Sequence, residues 1–124
     1  MELIKTHKDL KVYQNAFESA LQLFELSKAF PKEETYSLTD QVRRSSRSVC
    51  ANIAEAFRKR RYPNAFVAKL SDSESEAAET QVWLEFAFAF HYINQEEFNN
   101  LNDRYDHILS QLVLMINSPE KWSL

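Results

Sequence analysis

The 124-residue chain contains no glycine, only three prolines and a single cysteine. Each shortage excludes something. A β-rich domain draws on glycine for its turns, so a chain without it points to helices joined by short connections. The same absence excludes a glycine-rich loop that cradles phosphate. Cys50 has no second cysteine to pair with, so an intrachain disulfide is impossible. With no secretory leader either, the expected setting is cytoplasmic. No apolar run approaches the ~20 residues of a membrane span. Histidines are few and scattered: the residues three before His7, His91 and His107 are Ile4, Phe88 and Arg104. Neither the Glu-x-x-His of a di-metal bundle nor the HExxH of a zinc helix therefore occurs. Ser45, Ser46 and Cys50 have no histidine nearby in sequence to activate them. Catalytic residues, a metal site and a cofactor are all expected to be absent.

What is present is the mixture of a soluble globular protein, 44% apolar and 27% charged residues, at a length that suits one domain spanning 1–124. Leu10, Tyr13, Phe17, Leu21 and Phe24 recur at helical steps, flanked by Ala16, Ala20 and Leu23. They predict a first helix over about 9–29, with Asp9 as N-cap and Pro31 as stop. A second helix, over about 36–60, carries Leu38, Val42, Val49, Ile53 and Phe57 as its core stripe and starts from a cap at Ser37 or Thr39. Its small neighbours Ser45, Ser46, Cys50 and Ala54 would let another helix approach closely.

Pro63 suits the first turn of a third helix, over about 63–92. Phe66, Leu70, Ala77, Leu84 and Phe88 form its stripe, interrupted by Ser73 and Thr80. Its second half is apolar on a further face, where Trp83, Phe86 and Phe90 point away from Leu84 and Phe88. A small bundle needs one buried face per helix, so this second face predicts self-association. After a polar break at Asn94, a fourth helix over about 95–117 carries Phe98, Leu101, Tyr105, Ile108, Leu112 and Met115, and Pro119 ends it. The expected fold is all-α, an antiparallel up-down-up-down four-helix bundle.

The net charge is −3 but unevenly spread. Seven basic residues lie between Arg43 and Arg61 against one acid, Glu55, while the rest of the chain holds eight basic residues against seventeen acids. On a helical wheel Arg43, Arg44, Arg47 and Arg58 fall within about 100° of one another, roughly opposite the apolar stripe. Arg43, Arg44, Arg47, Arg58, Lys59, Arg60 and Arg61 are the candidate phosphate contacts, with Tyr62 available to stack on a base. Arg43 and Arg44 could equally pair with Asp40, Glu55 or the acids of the third helix, within the chain or across a subunit interface. The Arg58–Arg61 cluster has few acids near it and is the better binding candidate.

Several spaced motifs carry a family resemblance. Gln41 to Ala56 resembles the Q-x-R-R-(small)-x-x-S-(I/V)-x-x-N-(I/A)-A-E-(G) signature of four-helix-bundle proteins encoded within 23S rRNA intervening sequences. The lead-in Phe30-Pro31-x-x-Glu34-x-Tyr36-x-Leu38 and the opening Asp9-Leu10-x-Val12-Tyr13-x-x-Ala16 are similar to that family's. So are Lys69-Leu70-Ser71-Asp72 and Glu76-Ala77-x-Glu79-Thr80-Gln81-x-Trp83-Leu84. The resemblance covers about 9–116 and implies a homopentamer. It also implies kinship with accessory proteins of diversity-generating retroelements, which engage RNA or a reverse transcriptase. Asn52 and Glu55 are the family-motif residues; lying about 60° apart beside the basic face, they suit a functional site or polar caps on helix contacts. Two departures stand out. Ala56 replaces the glycine usual after Ala-Glu, and His91-Tyr92 replaces a frequent Gly-Tyr.

The expected function is non-catalytic binding of nucleic acid, RNA before DNA, by a basic surface repeated around a homo-oligomer. The alternative is a protein-interaction scaffold with no nucleic acid, which the acidic remainder of the chain favours.

Overall fold

The structure is a computed structural model, described over residues 4–122. Four long helices account for it: α1 (Lys11–Ser27), α2 (Leu38–Arg58), α3 (Pro63–Ala89) and α4 (Gln95–Asn117). No strand occurs among the described residues. Contacts between side chains fix the direction of each helix. On α1 and α2, Ser27 meets Arg43 while Phe24 lies by Arg47. On α2 and α3, Ser45 meets Thr80, the Val49 carbonyl meets Ser73, and Glu55 meets Lys69. Phe88 stacks on Phe98 and Gln81 reaches Asp106 between α3 and α4. Asn15 meets Gln111, and Ser19 meets Arg104, between α1 and α4. In every adjacent pair one number rises as the other falls, so the topology is up-down-up-down. α1 and α3 stand on one diagonal, with no pair of their Cα atoms within 8 Å among the described residues.

Local chemistry sets the helix ends. α3 begins on Pro63, whose missing N–H is one that a first turn leaves unpaired anyway. Asn94 and Glu97 cap α4 reciprocally, Glu97 N donating to Asn94 Oδ1 at 2.8 Å and Asn94 N to Glu97 Oε1 at 2.9 Å. Asp9 does not cap the first long helix. It closes a separate short turn, His7–Asp9, by accepting from Thr6 N at 3.0 Å and Lys5 N at 2.8 Å. Those two backbone donors hold its carboxyl below the ordinary aspartate value. Leu10 is extended, and α1 starts after it. Ser37 occupies the N-cap of α2 without capping through its side chain. Its hydroxyl donates to Glu34, which also accepts from Leu38 N and, at 2.8 Å, from Tyr92 Oη.

α3 stops at Ala89, short of the expected boundary, because His91 is left-handed at φ 64°. Tyr92 N donates to Ala87 O and His91 N to Phe88 O, which is a Schellman closure with histidine where glycine is favoured. This is one of the two positions that depart from the family pattern. The other, Ala56, is fully buried within α2.

The core stripes expected for α2 and α4 are buried, apart from the half-buried Phe98 at the start of α4. On α3, Ser73 and Thr80 do not interrupt the stripe; they form it. Both are fully enclosed against α2, Ser73 Oγ donating to Val49 O at 2.8 Å and Thr80 Oγ1 lying 2.8 Å from Ser45 Oγ. Small side chains let the two backbones come close, and each hydroxyl finds an acceptor there.

The α1 expectation is corrected. Its buried face is Val12, Ala16, Ser19, Leu23 and Ser27. Tyr13 and Phe24 are half-buried, while Phe17 and Leu21 stand 47% and 54% exposed. The most apolar face of α1 is thus rotated about 110° from the face it buries. Sequence periodicity weighs side chains by hydrophobicity, whereas close packing selected the small ones.

Two stability changes follow. His91→Gly removes a side chain from a left-handed position and is expected to raise unfolding stability by about 1 kcal/mol in urea titration. Thr80→Val keeps the shape but leaves Ser45 without its hydroxyl partner, and is expected to lower stability by roughly 1–2 kcal/mol.

Candidate nucleic-acid interface

The seven basic residues of α2 and its exit do not form one surface. Arg44 and Arg58 are 14 positions apart, about 21 Å along the helix axis, and the groups at the two ends have different surroundings. At the amino-terminal end, Arg43 turns into the groove between α1 and α2. Its Nε donates to Ser27 Oγ at 2.8 Å, and its guanidinium lies 4.5 Å from the centre of the Phe24 ring. Arg47 at 5.8 Å and Lys28 at 5.1 Å crowd the same ring. Three cations around one aromatic face is a packing arrangement, stabilised by the ring quadrupole. Arg44 pairs with Asp40 at 3.3 Å, as one of the sequence alternatives anticipated. Thr35, Thr39, Asp40 and the three arginines border a shallow cleft of about 380 Å³.

At the carboxyl-terminal end, Arg60 is folded back: its guanidinium lies 3.6 Å from the Phe57 ring centre and its Nε donates to Phe57 O at 2.9 Å. Burial, and then the charge of Arg58, lower its pKa. Arg58, Lys59 and Arg61 are exposed, and their side chains have neither a carboxylate nor a hydrogen-bond partner among the described residues. Cations beside the last carbonyls of a helix are also favoured by its dipole. Tyr62 follows directly, 62% exposed, and marks the start of α3.

The motif pair Asn52 and Glu55 is engaged within the bundle. Asn52 Nδ2 donates to the Ser48 carbonyl at 2.9 Å, and Glu55 makes an ion pair with Lys69 of α3 at 3.1 Å. Glu55 is therefore committed to a lysine, not to the arginines of its own helix.

The outward aromatic row of α3 lies where the sequence puts it. Phe86 and Phe90 are 44% and 50% exposed, and Trp83 is half-buried. The rings form a continuous ladder, Trp83 to Phe86 at 6.1 Å, Phe86 to Phe90 at 5.7 Å and Phe90 to Tyr92 at 5.6 Å.

Sequence reasoning missed the serines that receive the arginines. Ser27 takes Arg43, and Ser19 takes Arg104, which also pairs with Glu18 at 3.4 Å. Their signal was present: Ser19 and Ser27 continue the spacing of Ala16 and Leu23, a small-residue stripe beside the aromatic one. Cys50 is enclosed, and burial pushes its thiol up to about 11, far from a reactive thiolate. Among the described residues no cluster of His, Cys, Asp or Glu could hold a metal ion, and no helix is long and apolar enough to cross a membrane.

These placements separate structural arginines from free ones. Arg43→Ala is expected to lower unfolding stability by about 1 kcal/mol through the lost hydrogen bond and ring contact. Arg58→Ala is expected to stay within about 0.5 kcal/mol. Paired thermal melts of the two variants check this.

Comparison with known proteins adds a family. The family model described as 23S rRNA-intervening sequence protein matches residues 8–114. A crystal structure at 1.70 Å resolution, of a protein with unknown function from the S23 ribosomal protein family of Bacteroides thetaiotaomicron VPI-5482, is similar. The two are 30% identical with a TM-score of 0.78, covering 86% of this chain and 95% of that one. Comparison with curated proteins finds no match.

Proposed function

Since the chain belongs to the 23S rRNA-intervening sequence protein family, we propose that it is a non-catalytic, oligomeric protein of the cytoplasm that binds nucleic acid, RNA before DNA. One observation carries the proposal. Of seven basic residues in and after α2, Arg58, Lys59 and Arg61 alone are exposed with no ion pair, hydrogen bond or ring to occupy the side chain. Within the chain only the helix dipole favours these cations, and a solvated basic cluster beside an exposed aromatic suits contact with a polyanion.

Three phosphate contacts per chain would hold nucleic acid weakly at physiological salt, so repetition around an oligomer supplies the avidity. The pentamer implied by the family pattern would display five such clusters. The outward aromatic row Trp83, Phe86 and Phe90 is the surface offered for assembly. The remaining acidic surface repels phosphate and so confines contact to the basic end of α2. An enclosed, protonated Cys50 fits a protein without covalent chemistry.

The second reading, a protein-interaction scaffold, draws on the net charge of −3. Fluorescence polarisation with labelled single-stranded RNA at low salt separates the two. The wild type is expected to bind, and a combined Arg58→Ala, Lys59→Ala, Arg61→Ala variant to lose most of that binding. If the variant retains residual affinity, its log–log salt slope should fall by about 2 for three lost single-strand contacts. Wild-type protein that binds neither RNA nor DNA at low salt would leave the scaffold reading standing.

A further inference from the structure

The cleft at the start of α2 holds more basic charge than the bundle uses. Thr35, Thr39, Asp40, Arg43, Arg44 and Arg47 border its 380 Å³. A guanidinium has five N–H donors. Arg43 uses its Nε on Ser27 Oγ and Arg44 an Nη2 on Asp40, while the Arg47 side chain makes no hydrogen bond among the described residues. Most donors of all three remain open.

The charges are unbalanced as well. Asp40 answers Arg44 at 3.3 Å, Glu76 of α3 feels the charge of the same arginine, and Glu25 pairs with Lys28 at 3.2 Å. Arg43 and Arg47 have no carboxylate partner among the described residues. Two guanidinium charges are left over, and both lie by the Phe24 ring, at 4.5 Å and 5.8 Å from its centre. Thr39 adds a neutral donor. The residue is only 7% exposed and borders the cleft, yet its hydroxyl keeps access to solvent and has no hydrogen-bond partner among the described residues. Thr35, by contrast, already donates to Lys32 O at 2.6 Å.

We propose that this cleft binds a phosphomonoester group, taken by the open donors of Arg43, Arg44 and Arg47 and by the hydroxyl of Thr39. Charge selects the class. A phosphomonoester carries about −1.5 to −2 near neutral pH, which matches two unanswered guanidinium charges, whereas a carboxylate or a phosphodiester brings a single charge. Its three terminal oxygens accept from several sides, and an arginine fork pairs with phosphate oxygens two at a time. Ser27 and Phe24 hold Arg43 in place beforehand, so less side-chain freedom is lost on binding. The cleft is shallow and leaves the carrier of the phosphate outside. A small phosphate ester and the terminal phosphate of a polynucleotide therefore offer it the same chemistry. The site lies about 21 Å along the helix axis from the contact proposed at the exit of α2, and does not depend on it.

Isothermal titration of the full chain with inorganic phosphate tests the site, with sodium chloride holding the ionic strength constant. The wild type is expected to give a saturable heat with one site per chain. Arg47→Gln removes donors that make no hydrogen bond or ion pair in the bundle, and is expected to weaken binding about tenfold, the contribution of one charged hydrogen bond. Thr39→Val keeps the shape of the side chain and is expected to weaken binding with wild-type helicity, so a poorly folded Arg47 variant leaves the test intact. The combined Arg58→Ala, Lys59→Ala, Arg61→Ala variant is expected to bind phosphate as the wild type does. The site is overturned by a wild type without saturable heat, or by undiminished binding in both Arg47→Gln and Thr39→Val. Loss of phosphate binding in the triple variant overturns it too, and moves phosphate to the exit of α2. Fluorescence polarisation on that triple variant then separates the two sources. Tighter binding of 5′-phosphorylated than of 5′-hydroxyl single-stranded RNA assigns the site to a polynucleotide end; no difference, with inorganic phosphate still bound, assigns it to a small phosphate ester. Wild-type protein that takes phosphate but no RNA sinks the nucleic-acid proposal and leaves this one standing.

Discussion

The close approach of α2 and α3 is the constraint on which the rest of the molecule depends. Ser45, Ser46, Ser73, Ala77 and Thr80 are enclosed between apolar layers, and an enclosed hydroxyl must find an acceptor or destabilise the fold. An apolar stripe alone tolerates sliding by a turn. The pairings of Ser73 with the Val49 carbonyl and Thr80 with Ser45 hold at one register only. With that register set, Glu34 can reach the start of α2 and Tyr92 at the far end of α3 together, tying the two ends into one corner.

The preference for small residues has a second consequence. α1 also turns its small side chains inward, Ala16, Ser19 and Ser27 among them. Its aromatics are displaced to the flank, as are Phe86 and Phe90 at the end of α3. A bundle made this tight has more large apolar side chains than its interior can take, and the surplus forms two outward faces. Ser19 and Ser27 then act as anchors: each receives an arginine from a different neighbouring helix, Arg104 from α4 and Arg43 from α2.

That arrangement sorts the basic run of α2. Charge composition alone treats seven residues as equivalent, yet their environments are unlike. Arg43 is bonded and stacked, Arg44 is paired with Asp40, Arg47 shares a ring and Arg60 lies on Phe57. What stays free is the short cluster at the exit of α2, beside an exposed Tyr62. The family motif pair is likewise largely architectural, with Glu55 joined to Lys69 and Asn52 bonded within its own helix.

The sequence by itself determined four helices, their order, most core stripes, Pro63 as a start and the outward aromatic row of α3. All of these follow from local spacing and backbone chemistry, which a linear pattern records. It also marked His91 as a departure, whose left-handed backbone accounts for the glycine common there. Tertiary structure alone decided which face of α1 is buried. That choice depends on how near α2 and α4 can come, not on which residues are most apolar. It likewise decided which arginines are free, because Ser27, Phe24 and Phe57 meet them only once the helices pack or turn back. Hydrophobic periodicity reports preference for water; distance between backbones, which no periodicity contains, selects the side chains that fit.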